Sequence, residues 1–392
     1  MPEGAASPSG PACGIVVPQP VYIFAGGGTG GHLYPALSVA EELLRIQPGS
    51  RIVFACSQRP IDRKILDPLP YAVVAQPVRP LPGRLWQVGG FLRSWRQSSL
   101  LARDMITDLR PAAVLGLGGF AAGPIVCRTA KAGLPVGLLN PDAVPGKANR
   151  FLAAKADVVF TQFSATTEGF PARLRGRVRC VGCPTRSILL GADRGQALRY
   201  FGLREDRKTL LVCGGSLLAE AISDALAALA AELAPLAGVW QVLHVTASPR
   251  AREIEAALIR GGLTVRTQGY CNRMDLAYAA ADLVLGRAGA VTVAELSVTG
   301  TAAVLMPYPH HADQHQRLNA AALAEAGAAV VCPDVKDAAA NAASLRERMI
   351  PLMRDLRRLD AMRRSAAGLG RPNAAVEVAR WLAGVNQPKG GD

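Results

Sequence analysis

The sequence predicts an α/β protein of two doubly wound domains that face each other across a cleft. The chain of 392 residues is longer than one hydrophobic core ordinarily supports. Apolar strand-like runs alternate with segments of helical spacing, a pattern typical of βαβ units in a parallel sheet. The order strand, glycine-rich loop, helix occurs once near residue 25 and again near residue 214. Ligands bind such sheets at the carboxyl ends of the strands, so two domains would share a cleft.

The first half contains six expected strands, at residues 20–25, 51–56, 71–77, 113–116, 134–139 and 157–161. The pattern breaks around residues 182–203, and a second alternation begins at Thr209. Further strands are expected at residues 240–245, 263–267, 282–286, 302–306 and 328–331. We therefore divide the chain into a loose tail (1–18), two domains (19–184 and 185–368) and a closing segment (369–392). A helix at 373–382 in that last segment is expected to pack back on the first domain.

Charge and composition restrict the kind of partner. The 44 Lys and Arg against 30 Asp and Glu leave a net charge of +14, which favours nucleic acid, a phosphorylated metabolite or an acidic membrane face. No apolar run is long enough to span a bilayer, and residues 1–18 lack the features of a signal peptide. The basic residues are dispersed and no nucleic-acid module is visible, so nucleic acid is disfavoured.

The eight cysteines are expected to be reduced. Cys180 and Cys183 form a single C-x-x-C pair, which could be half of a zinc site or a redox pair. No second pair or suitably spaced histidine accompanies it, so a structural interpretation is favoured.

The first glycine-rich loop follows the strand at 21–25 and contains Gly26-x-Gly28-x-x-Gly31, with His32 directly after it. Its backbone N–H groups at a helix start suit a phosphate, and Pro35 is expected in the first turn of the helix. A dinucleotide site would need an acid after the next strand, where the chain has Cys56-Ser57-Gln58. A tight turn without a ligand is the alternative.

Two further segments lie at the same predicted sheet edge. Residues 116–124 form a second glycine-rich turn, with more backbone donors. Residues 140–150 follow the strand ending at Leu139 and carry the carboxylate of Asp142. That carboxylate could act as a general base on a hydroxyl, or Asp142 could simply be a turn residue.

The second half repeats the glycine-loop pattern at Gly214-Gly215-Ser216, which we expect to hold a phosphate. Glu295 lies early in a helix, where an acid could accept from ribose hydroxyls or could be an ordinary surface residue. Residues 307–320 concentrate histidine, amide and carboxylate groups. A metal is one interpretation, but a hydroxyl-rich sugar suits these fixed donors and acceptors better.

One stretch, residues 79–96, combines bulky apolar side chains with arginines, as an interfacial surface on anionic lipid does. A buried helix with a solvated basic side is the alternative. The proposed membrane patch consists of Arg79, Arg84, Trp86, Phe91, Arg93, Trp95 and Arg96.

Taken together, these segments resemble the MurG family of peripheral glycosyltransferases, which add N-acetylglucosamine to an undecaprenyl-linked muramyl-pentapeptide. The resemblance covers nearly the whole chain from about residue 20. It rests on motifs in the correct order and spacing, at residues 27–35, 116–124, 144–149, 182–186, 214–216, 287–295 and 313–320.

The resemblance implies two Rossmann-like domains in the GT-B arrangement and an inverting, metal-independent transfer from UDP-N-acetylglucosamine, without a cofactor. It implies a polyprenyl-pyrophosphoryl sugar-peptide acceptor, a peripheral place on the cytoplasmic face of the plasma membrane, and wall-synthesis and division proteins as further partners. Donor-binding residues would be Arg186, Gly215, Ser216, Met274, Ala290, Glu295, His315 and Gln316. Acceptor-binding residues would be Gly28, Thr29, Gly30, Gly31, Gly118, Gly119 and Asn140, with His32 and Asp142 catalytic.

The chain departs from the family pattern on the acceptor side. Where the family usually has His-Glu-Gln-Asn, this chain has Leu139-Asn140-Pro141-Asp142. Leu217-Leu218 replace a Gln-Gly pair, and Cys183 replaces an Asn. Our hypothesis is that Asp142 takes over the work of the missing glutamate. A transferase for another lipid-linked acceptor and a weakly active nucleotide-sugar-binding scaffold are the alternatives, while a nicotinamide-dependent oxidoreductase is disfavoured.

Overall fold

The computed structural model describes residues 19–214, 220–309 and 314–385. They form two parallel sheets, with strand orders β3-β2-β1-β4-β5-β6-β7 and β10-β9-β8-β11-β12-β13. The first sheet comprises β1 (Val21–Gly26), β2 (Arg51–Cys56), β3 (Ala72–Ala75), β4 (Ala113–Gly118), β5 (Val136–Asn140), β6 (Val158–Thr161) and β7 (Val178–Cys180). The second comprises β8 (Lys208–Cys213), β9 (Trp240–Val245), β10 (Thr264–Gln268), β11 (Leu283–Gly286), β12 (Ala302–Leu305) and β13 (Ala329–Val331).

Among the helices of the described residues, α1 to α12 lie between strands along the chain, and α13 to α15 follow the last strand. They are α1 (Gly30–Ile46), α2 (Pro60–Leu66), α3 (Val88–Leu109), α4 (Ala122–Lys131), α5 (Lys147–Leu152), α6 (Arg194–Phe201), α7 (Glu220–Ala228), α8 (Ala230–Leu233), α9 (Ala251–Arg260), α10 (Met274–Ala280), α11 (Ala290–Thr299), α12 (His315–Glu325), α13 (Ala338–Arg354), α14 (Leu356–Gly368) and α15 (Ala374–Gly384).

This architecture confirms the predicted fold class of two doubly wound α/β domains. The central strands are buried on both faces, which is why they appear in the sequence as continuous apolar runs rather than alternating ones. In each sheet the order in which strands are added changes side next to the first strand, between β1 and β4 and between β8 and β11. Ligands of open parallel sheets bind at such switch points, and the first glycine-rich loop, which follows β1, occupies this position in the first sheet.

Helix α1 begins earlier than expected. It starts at Gly30, so Pro35 lies inside the helix and not in its first turn. Since proline has no N–H, the carbonyl of Gly31 lacks the donor that a continuous helix would supply. One residue before Pro35, the backbone oxygen of Tyr34 accepts a hydrogen bond from the Ser38 hydroxyl, at 3.1 Å.

The last helix packs on the first domain. Val378 and Leu382 of α15 are fully buried in the same cluster as Tyr22 and Leu43. The Trp381 ring meets Phe160 of β6 edge-on, with the ring centroids 5.8 Å apart. The chain therefore crosses back from the second domain to the first before it ends.

Candidate active site

The first glycine-rich loop is held in place by a buried carboxylate. The N–H of Gly28 donates to Asp62 Oδ1 at 2.6 Å, and Ser57 donates to Oδ2 through its N–H at 3.0 Å and its hydroxyl at 2.6 Å. Asp62 is completely buried in α2. Gly27 has a φ of +147°, and a Cβ there would lie 2.6 Å from Asp62 Oδ2, so only glycine fits. The Gly28 N–H, which we expected to face an acceptor anion, is therefore already occupied.

His32 follows this loop in the first turn of α1, half-buried. Its Nδ1 lies 3.1 Å from the carbonyl oxygen of Gly27 and 3.1 Å from the Thr29 hydroxyl. A carbonyl oxygen can only accept, so Nδ1 carries the proton in the Gly27 bond. This leaves Nε2 unprotonated, as a proton acceptor.

The second glycine-rich loop packs against the same imidazole. Gly118 and Gly119 have φ values of +93° and +71°. A Cβ at Gly118 would lie 3.2 Å from His32 Nε2, and one at Gly119 would lie 3.4 Å from the ring carbon Cε1. Glycine at both positions thus avoids a tight side-chain contact with the imidazole, and both loops lie against this ring.

The segment after β5 carries Asp142 and is tied to both domains. Asn149 donates to Asn140 Oδ1 at 3.0 Å, and Asn140 donates to the backbone oxygen of Asp142 at 2.8 Å. From the second domain, Asn319 donates to Asp142 Oδ1 at 3.0 Å and accepts from the Ala143 N–H at 2.8 Å. Asn140, expected to bind the acceptor, is nearly fully buried and instead shapes this turn.

His32 and Asp142 interact electrostatically. Burial lowers the pKa of His32 below its ordinary value, and the negative charge of Asp142 is the largest effect that opposes this lowering. The imidazole is therefore neutral near pH 7. Protonation of its Nε2 would place an imidazolium near the Asp142 carboxylate, which would stabilise it.

On the second domain, Arg186 and Glu295 form a part-buried ion pair. Arg186 donates to Glu295 Oε1 at 3.3 Å, and the Tyr278 hydroxyl donates to Oε2 at 3.0 Å. Burial raises the pKa of Glu295, although Arg186 and the Tyr278 bond act in the opposite direction. The Arg186 guanidinium also stacks on the ring of Tyr34, 5.6 Å from its centroid. Since Tyr34 belongs to α1, this cluster contacts both domains.

The other described donor-side residues lie at helix starts in the second domain. Ala290 and Met274 are the first residues of α11 and α10, and His315 is the first residue of α12. Gln316 accepts a hydrogen bond from the Tyr308 N–H at 2.9 Å. Gly215 and Ser216 lie outside the described residues, as do His310, His311 and Asp313.

Comparison with known proteins identifies the family to which this chain belongs. Residues 22–161 match the glycosyltransferase family 28 N-terminal domain, and residues 209–378 match its C-terminal domain. The chain is 36% identical over 370 residues to the UDP-N-acetylglucosamine–N-acetylmuramyl-(pentapeptide) pyrophosphoryl-undecaprenol N-acetylglucosamine transferase of Moorella thermoacetica, covering 91% of this chain and 96% of the relative. It is 37% identical to the transferase of the same name from Chlorobaculum parvum, over 91% and 97% of the two chains. The chain belongs to the MurG family of glycosyltransferases.

Solved structures agree with this assignment. MurG of Acinetobacter baumannii superposes with a TM-score of 0.73 at 25% identity, covering 93% of this chain and 99% of that one. The UDP-GlcNAc 2-epimerase of Neisseria meningitidis superposes with a TM-score of 0.66 at 13% identity, over 93% and 100% of the two chains. The second likeness concerns the fold alone.

Not all side chains of the expected membrane patch in this MurG-family chain are fully exposed. Leu85 and Trp86 are 91% and 73% exposed, Leu81 and Leu92 are also exposed, and Arg84 stacks on Trp86, 4.9 Å from its ring centroid. Trp95 is only partly exposed. Its ring packs against α4 so closely that a Cβ at Gly123 would lie 2.6 Å from it. None of the helices in the described ranges is both long and apolar enough to cross a bilayer.

The C-x-x-C pair shows no sign of a reactive site. Cys183 is buried, and burial raises the pKa of its thiol, whereas reactive cysteines have a lowered pKa. Among residues 19–214, 220–309 and 314–385, no three His, Cys, Asp or Glu side chains lie together as a metal site would require.

Three residues of the site were not assigned a role from the sequence. Asp62 fixes the first glycine loop, Tyr278 holds Glu295, and Asn319 joins Asp142 across the cleft. Asn319 belongs to a motif that supported the resemblance, and this was the only signal for it.

Proposed function

We propose that this chain transfers N-acetylglucosamine from UDP-N-acetylglucosamine to the undecaprenyl-pyrophosphoryl N-acetylmuramyl-pentapeptide, the step that completes the lipid-linked disaccharide of peptidoglycan. The observation that carries the proposal is the presence, in one MurG-family chain, of an imidazole that can accept a proton in the first domain and a part-buried arginine–glutamate pair in the second. An N-acetylglucosaminyltransferase needs both: a group that takes a proton from the acceptor, and groups that hold the nucleotide donor.

On the donor side, we assign the ribose hydroxyls to Glu295 and the phosphates to Arg186. The Arg186–Glu295 ion pair holds both side chains near their working positions before the donor arrives. Ala290 adds backbone donors at the start of α11, and Met274 borders the base. His315 and Gln316 contact the sugar, and Gly215 and Ser216 belong to the phosphate loop by their place in the sequence.

On the acceptor side, we assign the general base to His32 rather than to Asp142. His32 Nε2 removes the proton from the acceptor hydroxyl while the hydroxyl oxygen attacks the anomeric carbon of the donor. The bond from that carbon to the phosphate oxygen breaks, and UDP leaves with the electron pair from the opposite face, which inverts the centre. Asp142 stabilises the imidazolium as it forms.

Thr29, Gly30, Gly31, Gly118 and Gly119 line the acceptor's path toward this base. Thr29 touches His32 directly, and the four glycines keep the surface open. Gly28 contributes through its conformation, since Asp62 occupies its N–H. These assignments keep the pyrophosphate of the acceptor near the start of α1, where the helix dipole favours an anion.

We further propose that the chain works at the cytoplasmic face of the plasma membrane. Leu81, Leu85, Trp86 and Leu92 form an exposed apolar surface, and Arg84 and Arg96 beside it suit anionic lipid. A membrane-bound acceptor with a long polyprenyl chain requires such a docking surface. Wall-synthesis and division proteins are the expected neighbours there.

The proposal is tested by incubating the protein with labelled UDP-N-acetylglucosamine and the lipid-linked muramyl-pentapeptide in detergent, with and without a chelator. We expect label on the lipid in both conditions. Conversion of the donor to an epimer without label on the lipid would contradict the proposal and would favour the chemistry of the epimerase neighbour.

A further inference from the structure

A cavity of about 660 Å³ opens beside the first glycine-rich loop, at the carboxyl edge of the first sheet. Its walls come from the ends of β2 and β3, from the start of α2, from α3 and from the turn after β4. The side chains that matter for binding are Arg59, Arg79, Arg93, Gln58, Gln97 and Phe120. Neither the base nor the donor groups described above line it.

The cavity has an excess of positive charge. Within the described part of the chain, no carboxylate oxygen lies within 4.0 Å of the guanidinium of Arg59, Arg79 or Arg93. Arg59 donates to the carbonyl oxygen of Gly28 at 3.2 Å and lies over the Phe120 ring, 5.3 Å from its centroid. A concave surface with three uncompensated guanidinium groups attracts an anion and concentrates its field.

The composition of the walls indicates which anion. A phosphate alone would need only charge and N–H donors, but this cavity also has two carboxamides, three prolines and an aromatic ring. Carboxamides can donate to and accept from peptide groups, and guanidinium groups bind carboxylates in a bidentate manner. The volume lies within the range of sites that enclose extended organic ligands rather than single ions. These properties fit a peptide that carries carboxylates.

The cavity and the catalytic cleft share one edge of the sheet. Arg59 contacts Gly28 of the first loop, and Phe120 follows directly after Gly118 and Gly119 of the second. Asp142, which contacts the second domain, lies beyond β4 in the opposite direction, after β5. An acceptor whose sugar lies at His32 can therefore extend its peptide away from the donor, past the loops and into the cavity.

We propose that this cavity binds a carboxylate of the acceptor's peptide, with Arg79 and Arg93 as its main partners and Arg59 at the border with the glycine loop. The proposal rests on the proposed transfer to a muramyl-pentapeptide acceptor. It takes Arg79 and Arg93 out of the membrane patch and makes them specificity-determining residues.

The test compares two lipid-linked acceptors, one with free peptide carboxylates and one with the same peptide amidated. Arg93→Gln and Arg79→Gln are measured with both, and Arg103→Gln, an exposed arginine on the same helix, is the matched control. We expect the wild type and Arg103→Gln to show an acceptor KM about tenfold lower for the free carboxylate than for the amide. In Arg93→Gln and Arg79→Gln this preference disappears, with the KM for UDP-N-acetylglucosamine unchanged.

Other results overturn the proposal in distinguishable ways. An equal rise in KM for both acceptors would assign the arginines to the pyrophosphate. Loss of binding to vesicles of anionic phospholipid, equal to that of Arg96→Gln and without loss of the carboxylate preference in detergent, would return them to the membrane. Absence of transfer by the wild type to either acceptor would instead contradict the proposed function itself.

Discussion

Asn319 of the second domain donates a hydrogen bond through Nδ2 to the Oδ1 atom of Asp142 in the first domain, at 3.0 Å. The same side chain accepts from the Ala143 N–H at 2.8 Å and donates to the Ala288 carbonyl at 3.2 Å, and it is completely buried. All of its hydrogen-bonding groups are thus used to hold the acceptor segment against the donor domain. The contact fixes the position of the carboxylate whose negative charge acts on His32.

Asn319→Ala is expected to lower kcat about tenfold and to reduce stability. It removes the donor to Asp142 and leaves the part-buried Ala143 N–H without its acceptor, at a cost of about 1 kcal/mol or more. Steady-state kinetics and thermal unfolding measure the two effects. Asn272→Ala, at an exposed position of the same domain, is the control and should change neither. A variant with unchanged kcat would show that the contact has no role in positioning.

Asp142→Asn separates the charge of this residue from its hydrogen bond. The amide oxygen can still accept from Asn319, but the negative charge that raises the pKa of His32 is lost. We expect kcat to fall about ten- to a hundredfold, and the acid limb of the kcat–pH profile to shift to lower pH. Abolished activity at every pH would make Asp142 the base, as our sequence-based hypothesis had it. Wild-type activity would remove Asp142 from the mechanism.

Tyr278→Phe should weaken donor binding without affecting the acceptor. The lost hydroxyl donates to Glu295 Oε2 at 3.0 Å, and hydrogen bonds to charged groups contribute about 1.5–3 kcal/mol. A roughly tenfold increase in the Kd of UDP, measured by calorimetry, is expected. Tyr200→Phe, at an exposed tyrosine of the same domain, is the control. An unchanged Kd would mean that Glu295 does not hold the nucleotide.

Acid should destabilise the second domain through His244. Burial lowers the pKa of this side chain to about 4, and its Nε2 lies 3.0 Å from the Ser223 hydroxyl. The folded state binds fewer protons than the unfolded state in this range, so stability is fully present above pH 6.5 and is lost as the pH falls toward 4. The loss attributable to His244 is about 3 kcal/mol. Denaturant unfolding of wild type and His244→Gln between pH 7 and 4 measures it. Parallel curves for the two proteins would contradict the assignment.

Leu85→Asp should impair binding to vesicles of anionic phospholipid. Leu85 is 91% exposed next to Trp86, so its burial in the interface contributes to binding, whereas a carboxylate there is repelled. Activity on a detergent-solubilised acceptor should be retained. Ile259→Asp, at an exposed apolar residue of the second domain, serves as the control. Equal vesicle binding by both variants would place the membrane contact elsewhere.

The sequence was informative where local rules decide structure. Buried parallel strands are continuous apolar runs, so twelve strands were placed within a few residues, and the glycine loops required the conformations that Gly27 and Gly118 adopt. It was less informative where packing between distant segments decides. The acid considered after β2 was a ribose ligand of a dinucleotide site, and no local pattern indicated that Asp62, in the first turn of α2, fixes the first loop. The residues around Trp95 have the composition of an interfacial segment, yet its ring packs against Gly123. No local sequence pattern reveals this contact.

Most residues of the site could be predicted from the sequence, but the contacts between them could not. Arg186 and Glu295 were both expected on the donor side, but their pairing joins segments that are 109 residues apart. The bond between Asn319 and Asp142 spans 177 residues and depends on how the two domains meet. Such contacts follow from the assembled fold rather than from sequence spacing. The roles proposed for Arg186, Glu295 and Asp142 depend on them.

The most direct test of the central claim, that His32 activates the acceptor for sugar transfer across the cleft, compares wild type with His32→Gln. UDP released and N-acetylglucosamine recovered on the lipid-linked acceptor are measured in the same reaction, with the Kd of UDP alongside. We predict equal amounts of the two products for the wild type. For His32→Gln we predict a kcat at least about a hundredfold lower with an unchanged Kd of UDP. UDP release by the wild type without sugar on the acceptor, or wild-type turnover by the variant, would contradict the account.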